Sequence, residues 1–416
     1  MINKNLAAEK FSNYQKIVLA VLAFLQFTVI LDFMIISPIG YILTKNLDIT
    51  TKQFGLIVSS YIFSAATAGI ISAGFIDKYD RKQVLLFFFT GFIIGTLFCA
   101  VSTSFHTLLA ARIFTGVFGG VVVSTTMTIV SDLFTPNQRG RAMSTVQMAF
   151  AASQIVGIPL GLFIASHFGW QYTFFLIVML SILILLVIVL KLKPVNEHLT
   201  LHPVATDSDR NPFLHFWRTV KSKQHQIGFS ATIILGMSMM LQPFVSIFLV
   251  NNIHITTDDV PVLFMVTGAS AFFVMPLVGK LADKFDKFKI FFIGSFATIV
   301  IVPVYTHLPV VPLWIVLLIN VTMFAVIMSR MGPFQALNSM IPQPAFRGAY
   351  MSISSSLQQM AGGLGIVIAS SIAYQPTPTS PLQNFDVLGY VVIGLSVFAV
   401  LLVYRVSKMV KNNSQQ

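Results

Sequence analysis

The sequence predicts an all-α membrane protein: twelve transmembrane helices, arranged as two six-helix pseudo-repeats, with both termini in the cytoplasm. Three observations predict it. Hydrophobic residues make up 56% of the 416 and charged residues 10%, with a mean hydropathy of +0.83, which cannot furnish a water-exposed surface. Uncharged runs recur at the ~20 residues of helix that a bilayer requires. Charged motifs of the first half return in the second at an offset close to half the chain. The same composition excludes a soluble enzyme with one large core, and it excludes a disordered chain, which needs low hydrophobicity. The lone cysteine, Cys99, rules out an intrachain disulfide. Although the formal net charge is +12, the basic residues are scattered between apolar runs and form no nucleic-acid patch.

Taken in order, span 1 covers 17–44 and carries one charge, Asp32. Spans 2 to 4 cover 54–76, 83–103 and 107–133. The run 142–190 is too long for one helix and breaks near the polar cluster from Ser166 to Gln171, giving spans 5 and 6 at 142–166 and 172–190. A polar segment, 191–224, contains Pro194, Pro203 and Pro212 and ends in the aromatic, basic stretch Phe213 to Arg218, suited to lie along the inner membrane surface. Spans 7 and 8 follow at 226–250 and 260–282. The run 290–329 breaks near Thr306 to Pro309, which sets spans 9 and 10 at 289–306 and 311–340, and spans 11 and 12 occupy 348–373 and 386–404. The expected division is therefore an N-terminal half at 1–190, a cytoplasmic linker at 191–224 and a C-terminal half at 225–416.

With the N-terminus inside, 22 of the 26 Lys and Arg fall on cytoplasmic segments; Lys45 and Lys52 fall outside, and Arg112 and Arg330 lie within helices. The positive-inside rule thus places both termini in the cytoplasm. A cleaved signal peptide is not expected, because the first span is too long for one. Asp77-Lys78-Tyr79-Asp80-Arg81-Lys82 recurs as Asp283-Lys284-Phe285-Asp286-Lys287, 206 residues on. Arg139-Gly140-Arg141-Ala142-Met143-Ser144 recurs as Arg347-Gly348-Ala349-Tyr350-Met351-Ser352, 208 residues on. Parallel repeats of this kind are a transporter signature, with the site at the midplane between halves.

At the loop between spans 2 and 3 the chain resembles the major facilitator superfamily, whose signature there is Gly-x-x-x-Asp-Arg-x-Gly-Arg-Arg. Ala73 through Lys82 matches at Asp77, Lys78, Arg81 and Lys82, with Ala73 and Asp80 where that family has glycines. The second copy keeps Gly279 and Asp283. Within the superfamily the chain most resembles the twelve-span drug:proton and sugar-efflux antiporters. Leu109 through Gly116 looks like their helix-4 motif with a membrane-embedded Arg, Arg112, and Gly157-Ile158-Pro159-Leu160-Gly161 looks like a variant of their helix-5 motif, with Ile158 inserted between Gly and Pro as in sugar- and metabolite-efflux relatives.

Asp32 is the only acid well inside the bilayer. At ~1.5 Å per residue it stands ~22 Å from Ile17 and ~18 Å from Thr44. An ionised carboxylate there costs at least ~2.5 kcal/mol, so a reversible proton carrier is the functional reading and a fixed Asp–Arg pair orienting spans 1 and 4 the structural one. The resemblance gives Arg112 a part in proton coupling; the alternative is an Arg that snorkels and bonds span-1 carbonyls. In the resembled fold spans 1, 4, 7 and 10 line the cavity, so Arg330 meets an anionic substrate group, unless span 10 stops near Met331 and Arg330 is an ordinary inside-positive residue.

Gln26, Gln147, Gln154, Gln242, Asn320, Gln358 and Gln359 are uncharged polar groups in spans. Gln26, Gln147, Gln242, Asn320 and Gln358 join Arg330 as substrate-binding candidates, with helix-packing glue as their other role. Asp77, Arg81, Asp132 and Asp283 form a candidate cytoplasmic gate of charge-assisted bonds, or else a solvated topology signal. Gly157, Pro159 and Gly161 allow close approach and a bend in span 5. Met237, Met239 and Met240 beside Phe244 suggest a soft wall, though such residues commonly face lipid.

No histidine shows zinc spacing, no Walker A sequence is present and no catalytic constellation is visible, so neither a metal, ATP nor an enzymatic activity is expected. The resemblance implies a proton-coupled efflux antiporter of a small organic solute, working by alternating access as a monomer in the inner membrane. Its driving force would be the proton gradient, without a cofactor, and its partners the solute, protons and the bilayer, with no nucleic acid. The alternative is a proton-coupled importer of a nutrient or metallophore, since fold does not set direction. From another class, a non-transporting receptor or lipid-handling protein is the remaining alternative.

Overall fold

The computed structural model describes residues 10–72, 76, 79–196, 219–343 and 347–413. Among them there is no β-strand, only an isolated antiparallel bridge between Tyr374 and Gln383. The helices are α1 (Asn13–Ile35), α2 (Gly40–Asn46), α3 (Thr51–Ser72), α4 (Arg81–Ala100), α5 (Phe105–Leu133), α6 (Pro136–Ala152), α7 (Ile158–His167) and α8 (Trp170–Lys191). Beyond the linker come α9 (Lys223–Met237), α10 (Val245–Asn251), α11 (Asp259–Lys284), α12 (Lys287–Thr306), α13 (Leu313–Asn338), α14 (Arg347–Ile372) and α15 (Phe385–Asn413). Counting α6 with α7 and α9 with α10 as one stretch each, eleven helical stretches among the described residues are long and apolar enough to cross a membrane. Helix α14 spans 26 residues but carries a polar run from Ser352 to Gln359 and is not one of the eleven.

Local chemistry explains most boundaries. Ser104 opens α5 with a reciprocal capping box to Thr107. The break inside 142–190 falls at Gly169, whose φ of +110° few side chains tolerate, and α8 starts at the next residue. Asp80 caps α4, its side chain accepting from the Lys82 N–H at 2.7 Å. Asp286, 206 residues on, caps α12 in the same way through the Phe288 and Lys289 N–H groups. An acid where the resembled signature has glycine is therefore a helix start, repeated in both halves.

Three spans are interrupted where the sequence reading had them as regular α-helix, and proline is at each. Span 1, expected unbroken over 17–44, stops at Ile35 and resumes at Gly40, with turns around Pro38 between. Span 7, expected over 226–250, divides into α9 and α10 through a short 3₁₀ segment, Gln242–Phe244, containing Pro243. Span 5 keeps its length but passes through a π-helical turn, Ser153–Gly157, just before Pro159, whose missing N–H would leave the Ile155 carbonyl without its usual donor. Helix α15 also outruns its expected end at 404 by two turns.

The chain forms two compact units: Met1–Ile35 with Ser64–Ala205, and Ile36–Phe63 with Thr206–Gln416. The first is held by a core that includes Leu22, Leu25, Phe89, Phe92 and Val122, all from α1, α4 and α5 and all fully buried. The second has Leu235, Phe291, Tyr350, Val403 and Val406 at its centre. It also takes in the end of span 1: the Ser246 hydroxyl donates to the Ser37 carbonyl at 2.7 Å, and Phe54 meets Phe244 edge to face at 6.1 Å. Large side chains such as Phe87, Phe272, Phe273 and Leu190 remain exposed, as expected of surfaces that meet lipid.

Candidate functional site

In the first unit, α1, α4 and α5 bring three polar side chains to one buried point. The Arg112 guanidinium donates through Nη1 to Asp32 Oδ2 at 2.7 Å and to the Asp32 carbonyl at 3.3 Å. Thr96 of α4 donates its hydroxyl to the other carboxylate oxygen, Oδ1, at 3.2 Å. Asp32 is 0% exposed and Arg112 1%. Arg112 therefore bonds both a carbonyl of α1 and the carboxylate of the same residue, and it does so from a buried position instead of snorkelling outward. One turn along α4 from Thr96, the Cys99 thiol lies 3.8 Å from the Thr115 hydroxyl, which itself donates to the Ala111 carbonyl.

A buried ion pair gains its Coulomb energy only after a desolvation cost of comparable size, while removing one partner alone costs ~3–5 kcal/mol. The pair is thus close to neutral in energy when intact and strained when one charge is lost. Such an element can store the difference between two protonation states.

Helix α1 is backed by the span-5 motif. A Cβ added at Gly157 would stand 2.8 Å from Leu31 Cδ1, beside Asp32, and one at Gly161 would stand 2.8 Å from Ile35 Cδ1. The Ser153 hydroxyl donates to the Phe27 carbonyl at 3.1 Å. Without side chains at these positions, α7 and the π turn before it sit directly on the helix that carries Asp32.

Of the charged-loop residues, Arg81 is buried and its Nε meets Asp132 Oδ2 at 3.2 Å within the first unit. The start of the linker is bonded to the same loop: the Arg81 N–H donates to the Val195 carbonyl and the Val195 N–H to Asp80 Oδ1. Asp77 lies outside the described residues, and so does the side chain of Asp283. In the second copy, Lys411 of α15 reaches Asp286 Oδ2 at 2.6 Å, and this ammonium holds the Asp286 carboxyl below the usual carboxylate range.

The uncharged candidates scatter. Gln26 is buried in α1 with its Oε1 unpartnered. Gln147 and Gln242 are exposed, the latter at the break of span 7. Asn320 donates to the Val316 carbonyl and accepts from the Tyr305 hydroxyl. Gln358 lies 3.9 Å from Met331 Sδ. Arg330 is settled in one respect: α13 runs on to Asn338, so it is a buried mid-helix residue and not the end of a span. Its Nη1 reaches Thr298 Oγ1 at 3.4 Å.

Sequence reasoning passed over Thr96, because a hydroxyl can satisfy itself on its own helix and so leaves no trace in hydropathy. It also passed over a buried network in the second unit: Tyr350 donates to Asn338 Oδ1, Asn338 donates to the Ser354 hydroxyl at 2.8 Å, and Ser354 shares a bond with Thr232 at 3.0 Å. Asn338 could have been found as an uncharged polar group inside span 10.

Among the described residues, helices apolar enough to cross a membrane, two broken spans and a buried acid–base pair are the make-up of a polytopic membrane protein. The family model of the Major Facilitator Superfamily matches residues 22–370, and the chain belongs to that family. It is a transporter, not an enzyme. It is 25% identical over 396 residues to the MFS-type transporter YceJ of Bacillus subtilis (strain 168), covering 92% of this chain and 94% of YceJ. Over 146 residues it is 29% identical to Multidrug resistance protein 3 of the same organism, covering 35% of this chain and 28% of that one. Among solved structures, a bacterial homolog of the human lysosomal transporter Spinster, in an inward-facing and unoccupied conformation, superposes with a TM-score of 0.77 at 14% identity, covering 97% of this chain and 99% of the other. At that identity the likeness is one of fold.

Proposed function

We propose that this chain is a proton-coupled exporter of a small organic solute, working by alternating access as a monomer in the inner membrane, with twelve spans and both termini in the cytoplasm. The observation that carries the proposal is the fully buried Asp32–Arg112 pair, with Thr96 on the second carboxylate oxygen. When Asp32 is ionised, the pair is neutral and α1 is bound to α5. When Asp32 takes a proton, Arg112 becomes a buried cation without a counter-charge, and the conformation that gives it water or a substrate acceptor is favoured. In this scheme proton entry is converted into a conformational bias by the pair itself.

The span-5 motif supports export by resemblance, and so does the partial match to a multidrug resistance protein. The pair itself would serve an importer equally well. In this reading Gln26, Gln147, Gln242, Asn320, Arg330 and Gln358 supply the solute contacts, and the Arg81–Asp132 bond with Asp77 and Asp283 forms the cytoplasmic gate. The test uses purified protein in liposomes with a pH-sensitive dye trapped inside and a panel of metabolites and drugs added outside. At least one compound should move protons through the wild type and none through Asp32→Asn. Solute movement without proton movement, or an Asp32→Asn protein that moves protons at the wild-type rate, would eliminate the coupling scheme.

A further inference from the structure

Two arginines buried in the middle of membrane-spanning helices, Arg112 and Arg330, are in opposite situations. Arg112 faces a carboxylate at 2.7 Å. Arg330 is 5% exposed and has no acid within ion-pair distance among the described residues. Its one polar contact, Thr298 Oγ1 at 3.4 Å, is long, and that hydroxyl already donates to the Gly294 carbonyl. The guanidinium carbon stands 5.9 Å from the centre of the Phe291 ring. A cation in this position carries the cost of desolvation without the compensation Arg112 enjoys.

The unsatisfied atoms of Arg330 are Nε and Nη2, both buried and without an acceptor. Their N–H bonds project side by side from one edge of the planar group, the fork that takes two oxygens of a carboxylate or phosphate. A third buried polar atom without a partner, Ser295 Oγ, belongs to α12. Phe291, Ser295 and Thr298 are spaced four and then three residues apart, so they share the face of α12 on which Arg330 rests. Phe291 and Thr298 both contact Arg330, which places Ser295 between its two neighbours.

We infer that Arg330 and Ser295 form an oxyanion subsite between α12 and α13, with Nε–H, Nη2–H and the Ser295 hydroxyl donating to the oxygens of a carboxylate or phosphate group. Two sources carry that chemistry: an acidic group on the transported solute, or the phosphate of an inner-leaflet lipid. Arg330 stands eight residues from the end of α13 and Ser295 eight residues from the start of α12, a depth of ~12 Å that either source can reach. Only the first source rests on the reading of the chain as a solute transporter.

The test is thermal unfolding of the full chain in neutral detergent, with sodium succinate, inorganic phosphate and dihexanoyl phosphatidylglycerol as probes against equal ionic strength of chloride. At least one probe should raise the unfolding temperature of the wild type. Its apparent affinity should fall tenfold or more in Arg330→Gln and severalfold in Ser295→Ala. Arg330→Lys keeps the charge but loses the fork, and it should weaken binding to the same degree; it carries the comparison if Arg330→Gln fails to fold. Because the guanidinium has no acid partner among the described residues, Arg330→Gln without probe should unfold no lower than the wild type. Binding of succinate or phosphate assigns the oxyanion to a solute, and binding of phosphatidylglycerol alone assigns it to lipid. No shift beyond chloride with any probe, or equal shifts in wild type and both Arg330 variants, would overturn the inference. The same shifts in an Asp32→Asn background keep the result separate from proton coupling.

Discussion

Arg112 Nη1 lies 2.7 Å from Asp32 Oδ2 across an interface between helices whose residues are 80 positions apart, and solvent reaches neither side chain. A contact of this kind is worth more as a pair than its parts. Asp32→Asn and Arg112→Gln should each lower the unfolding temperature in detergent, and the double variant should recover part of the loss, with a coupling energy of ~3 kcal/mol. Additive losses in the four-protein cycle would show that the two charges do not depend on each other.

The span-5 contact makes a graded prediction. A Cβ at Gly157 meets the flexible tip of Leu31 at 2.8 Å and the edge of the Phe27 ring at 3.3 Å, side-chain ends and not backbone, so Gly157→Ala should be tolerated with a small loss. Gly157→Leu adds a whole side chain against α1 and should cost ~1–3 kcal/mol by overpacking. The check is the monodisperse yield on size exclusion together with solute-dependent proton flux. A Gly157→Leu protein with wild-type yield and flux would mean that α1 and α7 separate more readily than their packing implies.

At the loop before α4, Arg81→Ala removes the 3.2 Å bond to Asp132. Arg81 is buried and Asp132 partly solvated, so the variant loses side-chain packing as well as the bond and should lower the unfolding temperature modestly. If the loop is the gate proposed above, transport should fall while the affinity of a bound solute is retained, because a gate acts only on the conformational equilibrium. Equal transport by variant and wild type at equal expression would remove the loop from the mechanism.

The last turns of α15 depend on Lys411 and Asp286. The Lys411 ammonium holds the Asp286 carboxyl below its ordinary value, so the carboxylate is favoured in the folded state. Its contribution is therefore present above the unfolded value of ~3.9 and disappears as pH falls through the lower folded value. Lys411→Ala should lower amide protection of the segment Ser407–Asn413 at neutral pH, and the difference from wild type should vanish in acid. Identical protection at pH 7 would show that α15 holds its end through Val406 and Val410 alone.

Hydropathy and charge are properties of residues taken along the chain, and they were enough for the helical class, for most of the apolar helices and for singling out Asp32 as an acid inside one of them. Capping is local too, and Asp80 and Asp286 were legible in principle as acids before apolar runs. The breaks at Pro38 and Pro243 were missed because hydropathy does not register a missing N–H. Tertiary structure alone decided that Thr96 bonds Asp32, that Arg112 is neutralised and that Arg330 is not. The reason is rotational: helices apolar on nearly every side carry little amphipathic signal, so the face that each turns inward is set by packing against neighbours distant in sequence.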